Sequence, residues 1–314
     1  MKNAIIPHGV AIPRMRTAHP FCAALLLAGA LSAGSGPAVS EIAVKDDQGE
    51  TVRLARAATR IVSLAPGPTE MVYAVGAGDR MVGTVEFSDY PEAARALPRV
   101  GNSAVVDVER IAALKPDLVL AWPHGAGQRQ AAQLRRLGMP VYVSDPKTLD
   151  DIASALEAFG RLAGTEAQAQ AAARLFRSRL ETLREVHAAA RPLQVFVQIW
   201  RAPLMTVNDR HLIADALRAC GARNVFGGIA QLAPTITREA VIVADPEVIV
   251  VVAKAGDAIA ALDAWRKWPQ LRAVRRERLF AIDPDRLSRL TPRALDGTAD
   301  LCERLQHARR QERS

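Results

Sequence analysis

The chain has few aromatic residues, few cysteines and no long apolar run after its N-terminal region. Aromatic residues make up 4% of the 314 residues, and the three cysteines are Cys22, Cys220 and Cys302. After the N-terminal region, no apolar run reaches the ~18 residues that a membrane-spanning helix needs. Hydrophobic residues nevertheless make up 49% of the chain, which is typical of a folded α/β protein and excludes extended disorder.

Motifs that identify common enzyme classes are also missing. The sequence contains no G-x-x-x-x-G-K-[ST] phosphate loop, no G-x-G-x-x-G, no G-x-S-x-G elbow and no zinc-type spacing of Cys or His. His187 is expected on the surface of a long helix. His124 follows Trp122 in a loop, where it is either an ordinary loop residue or a residue that meets a ligand or metal centre. An enzyme is therefore the less favoured class.

The positive charge of the chain does not form a pattern. The formal net charge is +8, but the basic residues are scattered and often stand beside acids, as Arg179 does near Glu181. Such an arrangement is typical of solvated surface faces, and it disfavours a nucleic-acid partner.

Residues 1–40 have the pattern of a secretory signal peptide. The basic residues Lys2, Arg14 and Arg16 precede a short apolar segment at 21–31, and Ala38-Val39-Ser40 is a small-residue cleavage pattern. Cys22 precedes the apolar segment, so a lipid-modified cysteine is not indicated. Removal of the peptide near Ser40 leaves Cys220 and Cys302. In an oxidising compartment these two form a disulfide, with two buried free thiols as the alternative.

Residues 165–190 are predicted to form one long helix. The segment lacks Gly and Pro and is rich in good helix formers. Thr165 with Gln168 predicts a capping box. A predicted apolar stripe consists of Ala172, Phe176, Leu180, Leu183 and Val186. At 1.5 Å per residue the helix would be roughly 39 Å long. We expect it to bridge two lobes; an ordinary surface helix of one large domain is the alternative.

On both sides of this helix, strands alternate with helices, in residues 41–164 and 191–314. This alternation predicts two Rossmann-like α/β lobes with parallel sheets. The first lobe begins with a predicted hairpin at 42–54. A buried strand at 60–65 is then expected to end at Pro66, with Thr69 capping the helix that follows.

Loops at the carboxyl ends of the first-lobe strands carry scarce aromatic residues. Phe87, Tyr90 and Trp122 lie in such loops, and a further loop contains Pro66. Ligands of parallel sheets bind beyond these strand ends. The rings therefore predict a wide apolar ligand surface, with packing of the loops themselves as the alternative.

An internal repeat relates the two lobes. Residues 109–119 match residues 239–249, and in both copies a Glu stands seven residues before a Pro. In the structural interpretation, Glu109 and Glu239 stabilise their helices, because a negative charge near a helix N-terminus interacts favourably with the helix dipole. The functional interpretation is that each lobe presents one acid at a corresponding place.

These residues carry a family resemblance. The segments RIVSLAPGPTE at 60–70, SDYP at 88–91 and ERIAALKPDLVLAW at 109–122 resemble the cobalamin-binding group of the helical-backbone metal-receptor family. Its members are periplasmic binding proteins of ABC importers for vitamin B12, haem and iron siderophores. The resemblance runs from about Arg60 to Leu305 and is stronger in the first lobe.

The resemblance implies two lobes on one bridging helix with little closure, a monomer in the periplasm, and cobalamin as transported ligand without a resident cofactor. It implies that Glu109 and Glu239 dock onto arginines of the inner-membrane permease. It also implies the pairing of Cys220 with Cys302.

For the ligand site, the resemblance and the loop positions together indicate Pro66, Phe87, Tyr90, Trp122, His124, Met205, Asp285 and Arg289. Ser103, Met205 and Ala233 stand where cobalamin-binding relatives have aromatic residues, so other ligands stay open. Haem would use Tyr90 or His124 as iron ligand. A ferric siderophore would use convergent arginines among Arg201, Arg289 and Arg293. Another corrinoid and an exported enzyme are the remaining alternatives.

Overall fold

The computed structural model describes residues 41–102, 104–124 and 126–311. The expected signal peptide at 1–40 and Ser103 lie outside these ranges. Among the helices of the described part of the chain, none is both long enough and apolar enough to cross a membrane.

The predicted N-terminal hairpin is present. Strands β1 (Ile42–Lys45) and β2 (Thr51–Leu54) pair in an antiparallel manner. The buried Asp46 carboxylate organises the turn, because its Oδ1 accepts hydrogen bonds from the backbone N–H groups of Gln48 and Glu50 at 3.0 and 2.9 Å. Its Oδ2 accepts a hydrogen bond from Arg135 at 2.8 Å, which joins the hairpin to the first lobe.

The first lobe contains a four-stranded parallel sheet in the order β4-β3-β5-β6. Its strands are β3 (Ile61–Ser63), β4 (Met81–Gly83), β5 (Leu118–Ala121) and β6 (Val141–Val143). Its helices are α1 (Pro66–Ala74), α2 (Val108–Ala113), α3 (Ala126–Arg136) and α4 (Leu149–Ala163).

The second lobe repeats this topology, with the sheet order β8-β7-β9-β10. Its strands are β7 (Leu193–Gln198), β8 (Ala222–Asn224), β9 (Val248–Val252) and β10 (Leu279–Ile282). Its helices are α6 (Leu212–Ala219), α7 (Arg238–Ala244), α8 (Ala255–Arg266), α9 (Arg272–Arg275), α10 (Pro284–Leu287) and α11 (Ala294–Arg310). In both sheets, the strand that comes first in the sequence, β3 or β7, pairs with the next two strands of that sheet. The prediction of two α/β lobes is confirmed.

The long bridging helix is also present, as α5 (Glu166–His187). Its 22 residues make it about 33 Å long. The predicted capping box at Thr165 is wrong, because the Thr165 side chain makes no capping hydrogen bond and its buried Oγ1 has no partner. Only Gly164 and Thr165 separate α4 from α5. The Thr165 N–H donates a hydrogen bond to the Gly160 carbonyl at the end of α4. A capping box does occur at the start of α4, between Thr148 and Asp151.

The buried stripe of α5 differs in phase from the prediction at its C-terminal end. The buried residues of the helix are Ala169, Ala173, Phe176, Leu180 and His187. Val186 is 64% exposed, so its assignment to the stripe is wrong, and so is the expected surface position of His187. Two helical turns separate Leu180 from His187, and residue 186 therefore points away from the buried face.

Helix α5 packs against α4 from the first lobe and against α6 and α11 from the second. The buried side chains of these helices belong to one continuous hydrophobic core, which runs from the N-terminal hairpin to α11. The lobes therefore share a core around α5, and rotation of one lobe against the other would disturb that packing.

Helix α1 begins earlier than the sequence predicts. Pro66 is its first residue and Ala65 its N-cap, so the predicted capping role of Thr69 is wrong. Proline suits the first helical position, because its missing N–H has no partner there in any case. The Thr69 hydroxyl instead donates to the Ala65 carbonyl at 3.0 Å from within the helix.

The expected disulfide is present and joins two helices of the second lobe. Cys220 is the C-cap of α6, and Cys302 lies in α11. Both residues are buried. The cross-link thus fixes the closing helix of the chain to the first helix of the second lobe.

Candidate binding cleft

The strand-end loops of the two lobes meet at a cleft. A cavity of about 130 Å³ is lined from the first lobe by Pro66, Gly67 and Trp122, and from the second lobe by Ser288, Arg289 and Leu290. This volume is below the ~300–1,000 Å³ of typical ligand pockets. A large ligand would therefore lie mainly on the open rim of the cleft. The residues of the rim would then determine which kind of ligand binds.

Exposed aromatic rings lie on loops that follow strands of both lobes. The exposed fractions of Phe87, Tyr90 and Trp122 are 71%, 46% and 39%, and that of Trp200 at the end of β7 is 61%. Rings that only packed their own loops would be buried. The exposure therefore favours a ligand surface, and Trp200 adds a ring that the sequence reasoning had not assigned to the site.

Phe87 has a left-handed backbone, with φ of 65°. This conformation is unfavourable for a bulky residue and is typical of functional positions. The segment is anchored by buried hydroxyls: Thr69 and Thr84 lie 2.8 Å apart, and Thr84 donates to Ser88 at 2.9 Å. This network ties the loop to α1 and the end of β4, so the ring of Phe87 is presented on a fixed support.

A charged group that the sequence reasoning missed lies between the lobes. Glu70 on α1 is only 3% exposed, and its carboxylate accepts hydrogen bonds from two arginines of the second lobe. Arg289 Nη1 donates to Oε1 at 2.8 Å, and Arg293 donates to Oε1 through Nη2 at 2.6 Å and to Oε2 through Nε at 2.9 Å. The only local signal was a single acid within the apolar start of a helix.

The same arginines contact further groups of the rim. Arg289 also pairs with Asp285 at 3.0 Å and with Asp89 at 3.4 Å. The Arg293 guanidinium lies 3.9 Å from the centre of the Tyr90 ring, a cation–π contact. Burial acts to lower the pKa of Arg293, but the hydrogen bond and charge of Glu70 outweigh burial, so this pKa is raised.

Asp285 is neutralised from a second side as well. Lys254, which follows β9, pairs with Asp285 and, at 3.1 Å, with Asp283. Asp285 and Arg289, two predicted ligand residues, are therefore brought together in the structure, but their charged groups contact other protein groups.

His124 has an exposed imidazole at the cleft. Its ring lies 4.6 Å from the Trp122 ring at an angle of 71°, and its Nε2 is 3.7 Å from Asp145 Oδ1. Met205 is half-buried and forms backbone bridges with Trp200 and Thr235. His124 lines a cavity together with Trp122 and Leu290. Met205 instead lies beside Trp200 on the second lobe and is less exposed than that ring.

A second histidine of the cleft, His211, caps α6. Its Nδ1 accepts a hydrogen bond from the Ile213 N–H at 3.1 Å. Burial and the charge of Lys147 lower the pKa of His211 to about 4, so its ring is neutral at pH 7. In the ranges 41–102, 104–124 and 126–311, no three His, Cys, Asp or Glu side chains are arranged to hold a metal ion.

Glu109 and Glu239 occupy equivalent exposed positions. Each is the second residue of its helix, α2 or α7, after an N-cap whose side chain accepts a backbone hydrogen bond. These helices lead into β5 and β9, the third strands of the two sheets. The pKa of Glu239 is lowered by hydrogen bonds from its own backbone N–H and from the Thr237 hydroxyl.

The remaining predicted arginine and aromatic-replacement positions lie on the second lobe. Arg201 is exposed and, together with Trp200, lines a second cavity of about 370 Å³. Ala233 is half-buried, in the segment whose Thr235 pairs with Met205.

Comparison with known proteins agrees with this architecture. The vitamin B12-binding protein of Vibrio cholerae serotype O1 is 40% identical over 255 residues, which are 81% of this chain and 91% of that protein. The crystal structure of the periplasmic vitamin B12 binding protein BtuF of Vibrio cholerae matches with a TM-score of 0.75 at 40% identity, covering 80% of this chain and 98% of that one. The crystal structure of a periplasmic heme binding protein from Pseudomonas aeruginosa matches with a TM-score of 0.69 at 29% identity, covering 78% of this chain and 91% of that one. The family model for periplasmic binding proteins matches residues 61–286. The chain belongs to the periplasmic binding protein family.

Proposed function

We propose that this chain captures cobalamin in the cleft between its lobes, residues 41–164 and 191–314, and delivers it to an ABC permease of the inner membrane. In this proposal the protein is a monomeric binding protein of the periplasm rather than an enzyme. Its signal peptide is removed near Ser40, and cobalamin is cargo rather than a cofactor.

One observation carries the proposal: exposed aromatic rings lie on the loops that follow the strands of both sheets. Phe87, Tyr90 and Trp122 lie on the first lobe and Trp200 on the second. A corrin ring is large and flat, and stacked or edge-on aromatic contacts suit such a surface. Pro66, His124, Met205, Asp285 and Arg289 complete the proposed contact set. The relatives named as vitamin B12-binding proteins support this choice.

Haem is the second candidate, favoured by the exposed imidazole of His124. Haem iron needs an axial ligand such as His or Tyr. Tyr90 is the other possible iron ligand, and the Arg293 guanidinium lies over the face of its ring. The 29% identical heme binding protein supports keeping this candidate.

Calorimetric titration of the chain from Glu41 onward with cyanocobalamin tests the ligand. We expect one site with Kd in the nanomolar to low micromolar range, which corresponds to about −8 to −12 kcal/mol. Titration with haemin, followed by absorbance, is the comparison. Haemin binding with an axial-ligand spectrum that is lost in His124→Ala, together with no heat from cyanocobalamin, would replace cobalamin by haem.

We also infer that Glu109 and Glu239 dock onto basic residues of the permease. Both carboxylates are exposed at the same helical position of the two lobes, and the shared core around α5 holds their separation fixed. Two acids at a fixed separation can set both affinity and orientation through charge-assisted hydrogen bonds.

Reversal of both charges, in Glu109→Arg/Glu239→Arg, should abolish transport and leave the Kd for the ligand unchanged. Glu166→Arg is the matched control, because Glu166 is also an exposed acid in the first turn of a helix but lies outside the repeat. Normal transport by the double variant would remove the docking assignment without affecting the ligand assignment.

A further inference from the structure

The charged groups between the lobes form one connected cluster, which we call the Glu70 cluster. Its members are Glu70, Asp89, Lys254, Asp283, Asp285, Arg289 and Arg293, joined by the ion pairs described above. Four carboxylates thus face three cations. The cluster lies at the wall of the cleft, because Arg289 lines the central cavity and Arg293 covers the Tyr90 ring.

The buried carboxylate of Glu70 forms ion pairs with both arginines of this cluster. Both of its oxygens accept hydrogen bonds from guanidinium groups, and Arg293 donates two of them. The side chains of Arg289 and Arg293 are 16% and 21% exposed, so they have little surface from which to reach a ligand. Buried, bidentate pairs of this kind are strong, and a ligand carboxylate would have to compete with Glu70 for them.

The charge balance of the wall therefore discriminates among the candidate ligands. Haem carries two propionates, and a carboxylate-bearing siderophore carries several, whereas the periphery of a corrinoid carries uncharged amides. Binding of a carboxylate beside a cluster with one excess negative charge is unfavourable, because no cation of the cluster is free to compensate it. An amide faces no such repulsion and can still donate a hydrogen bond to a carboxylate of the cluster.

We propose that Glu70 determines ligand specificity by neutralising Arg289 and Arg293, so that the cleft rejects anionic chelates and accepts amide-bearing ones. This inference rests on the proposed function, since it explains how the same fold would select a corrinoid. The proposal assigns a role to Glu70, a residue that does not itself reach the rim. In this proposal Arg289 pairs with Glu70 and does not act as a counter-ion for the ligand.

The test compares two ligands that differ by one amide. Cyanocobalamin and its monocarboxylate isomers, in each of which one peripheral amide is hydrolysed, are titrated into the unaltered chain, Glu70→Gln and Glu70→Asp. For at least one isomer, the unaltered chain should prefer the amide by tenfold or more, and Glu70→Asp should keep the preference because it keeps the charge. Glu70→Gln should reduce it at least fivefold. An unchanged preference for every isomer in a folded Glu70→Gln protein would overturn the proposal.

Asp89→Asn is the matched control for loss of a negative charge. The Asp89 side chain is half exposed and pairs with Arg289, so its loss leaves both arginines on Glu70. The preference should change less than twofold. A change as large as that of Glu70→Gln would show that net charge alone, and not occupation of the arginines, decides specificity.

Glu70→Gln leaves two partly buried guanidinium groups without their main partner, so its folding is checked by thermal unfolding. If it does not fold, Arg293→Gln decides the question, because it leaves Glu70 paired with Arg289. The monocarboxylate should then lose no more than about twofold in affinity; a loss of tenfold or more would show that Arg293 binds ligand carboxylates and would contradict the proposal.

Failure of the proposed function has a different result. If the unaltered chain binds neither corrinoid, cobalamin is wrong as the ligand, and haemin then tests the charge effect by itself. Glu70→Gln is then titrated with haemin, or Arg293→Gln if Glu70→Gln does not fold. A gain of at least tenfold in Glu70→Gln, or no loss in Arg293→Gln, supports the role of Glu70, and the reverse result rejects it.

Discussion

The two lobes have the same topology but present different chemistry at the cleft. The first lobe contributes exposed rings, Phe87, Tyr90 and Trp122, on loops held by buried hydroxyls. The second contributes the arginines and aspartates of its closing segment, with the closing helix cross-linked to α6. The comparison shows that one scaffold can supply a flat apolar surface on one side and a charged wall on the other, because the strand-end loops vary independently of the sheets.

Loss of the disulfide should produce the largest difference between the two lobes. Among the described residues, only the second lobe has a disulfide, and its sequence separation is 82 residues. In the chain-entropy model a loop of this length stabilises by about 4 kcal/mol. The variant Cys220→Ser/Cys302→Ser should lose about that free energy of unfolding, measured with urea.

Reducing agent should have the same effect on the unaltered chain and none on the double variant. A loss below about 1 kcal/mol would show that the second lobe is held by its packing alone, as the first lobe is.

Acid should destabilise the chain first through a residue of the second lobe, His211. The unfolded chain protonates His211 near pH 6.5, whereas the folded pKa is about 4, so the unfolded state binds more protons between these values. Stability therefore falls as the pH falls through this window, by roughly 3 kcal/mol in total at pH 4. Urea unfolding at pH 7, 5.5 and 4 measures this loss. His211→Asn, which keeps a side-chain acceptor at the N-cap, should remove most of it.

The acid sensitivity of the first lobe lies lower in pH. Hydrogen bonds from Arg184 and Arg177 on α5 lower the pKa values of Asp150 and Glu157 on α4, so their stabilisation is lost only as the pH falls below the ordinary carboxylate range. Equal pH dependence of the unaltered chain and His211→Asn between pH 6.5 and 4 would contradict the assignment.

Removal of rings should weaken ligand binding from both lobes by unequal amounts. Trp122→Ala should raise the Kd for the ligand about five- to tenfold, because Trp122 lines the cavity shared by the lobes. Trp200→Ala should have a smaller effect, because its ring lies on the second-lobe side and is more exposed. Leu175→Ala on α5, also an exposed apolar residue, is the calorimetric control. No change in Kd for either tryptophan variant would place the ligand elsewhere.

Removal of a helix cap should have the smallest effect on stability, and the effect should be equal in the two lobes. Asp107 and Thr237 cap α2 and α7 and accept hydrogen bonds from the N–H groups of Arg110 and Ala240 at 2.9 and 3.2 Å. Replacement of either by Ala should cost ~1 kcal/mol of unfolding free energy. Costs that differ by more than twofold in urea unfolding would show that the repeat is equivalent in sequence but not in energy.

Local patterns predicted much of this architecture. The strand–helix alternation, the long helix and the equivalent positions of Glu109 and Glu239 follow from periodicity and from turn residues, which act over a few positions. The error at Val186 also has a local cause. Val186 was assigned to the buried stripe because it is apolar, whereas the 3.6-residue period of the helix places His187 on the buried face.

The Glu70 cluster was not predictable in the same way. Glu70 and Arg289 are 219 residues apart, and their contact depends on how the two lobes are placed by the helices around α5. Thr165 fails as a cap for a local reason, because α4 ends at the left-handed Gly164 and leaves no separate turn for a second cap. Long-range pairing and shared peptide groups leave no periodic signal in a sequence.

The core shared by α4, α5, α6 and α11 has a mechanical consequence for the proposed importer. A receptor that is stiff along its length would not signal bound cargo through a large change of shape. In the proposed importer, the permease would therefore have to contact the cargo directly.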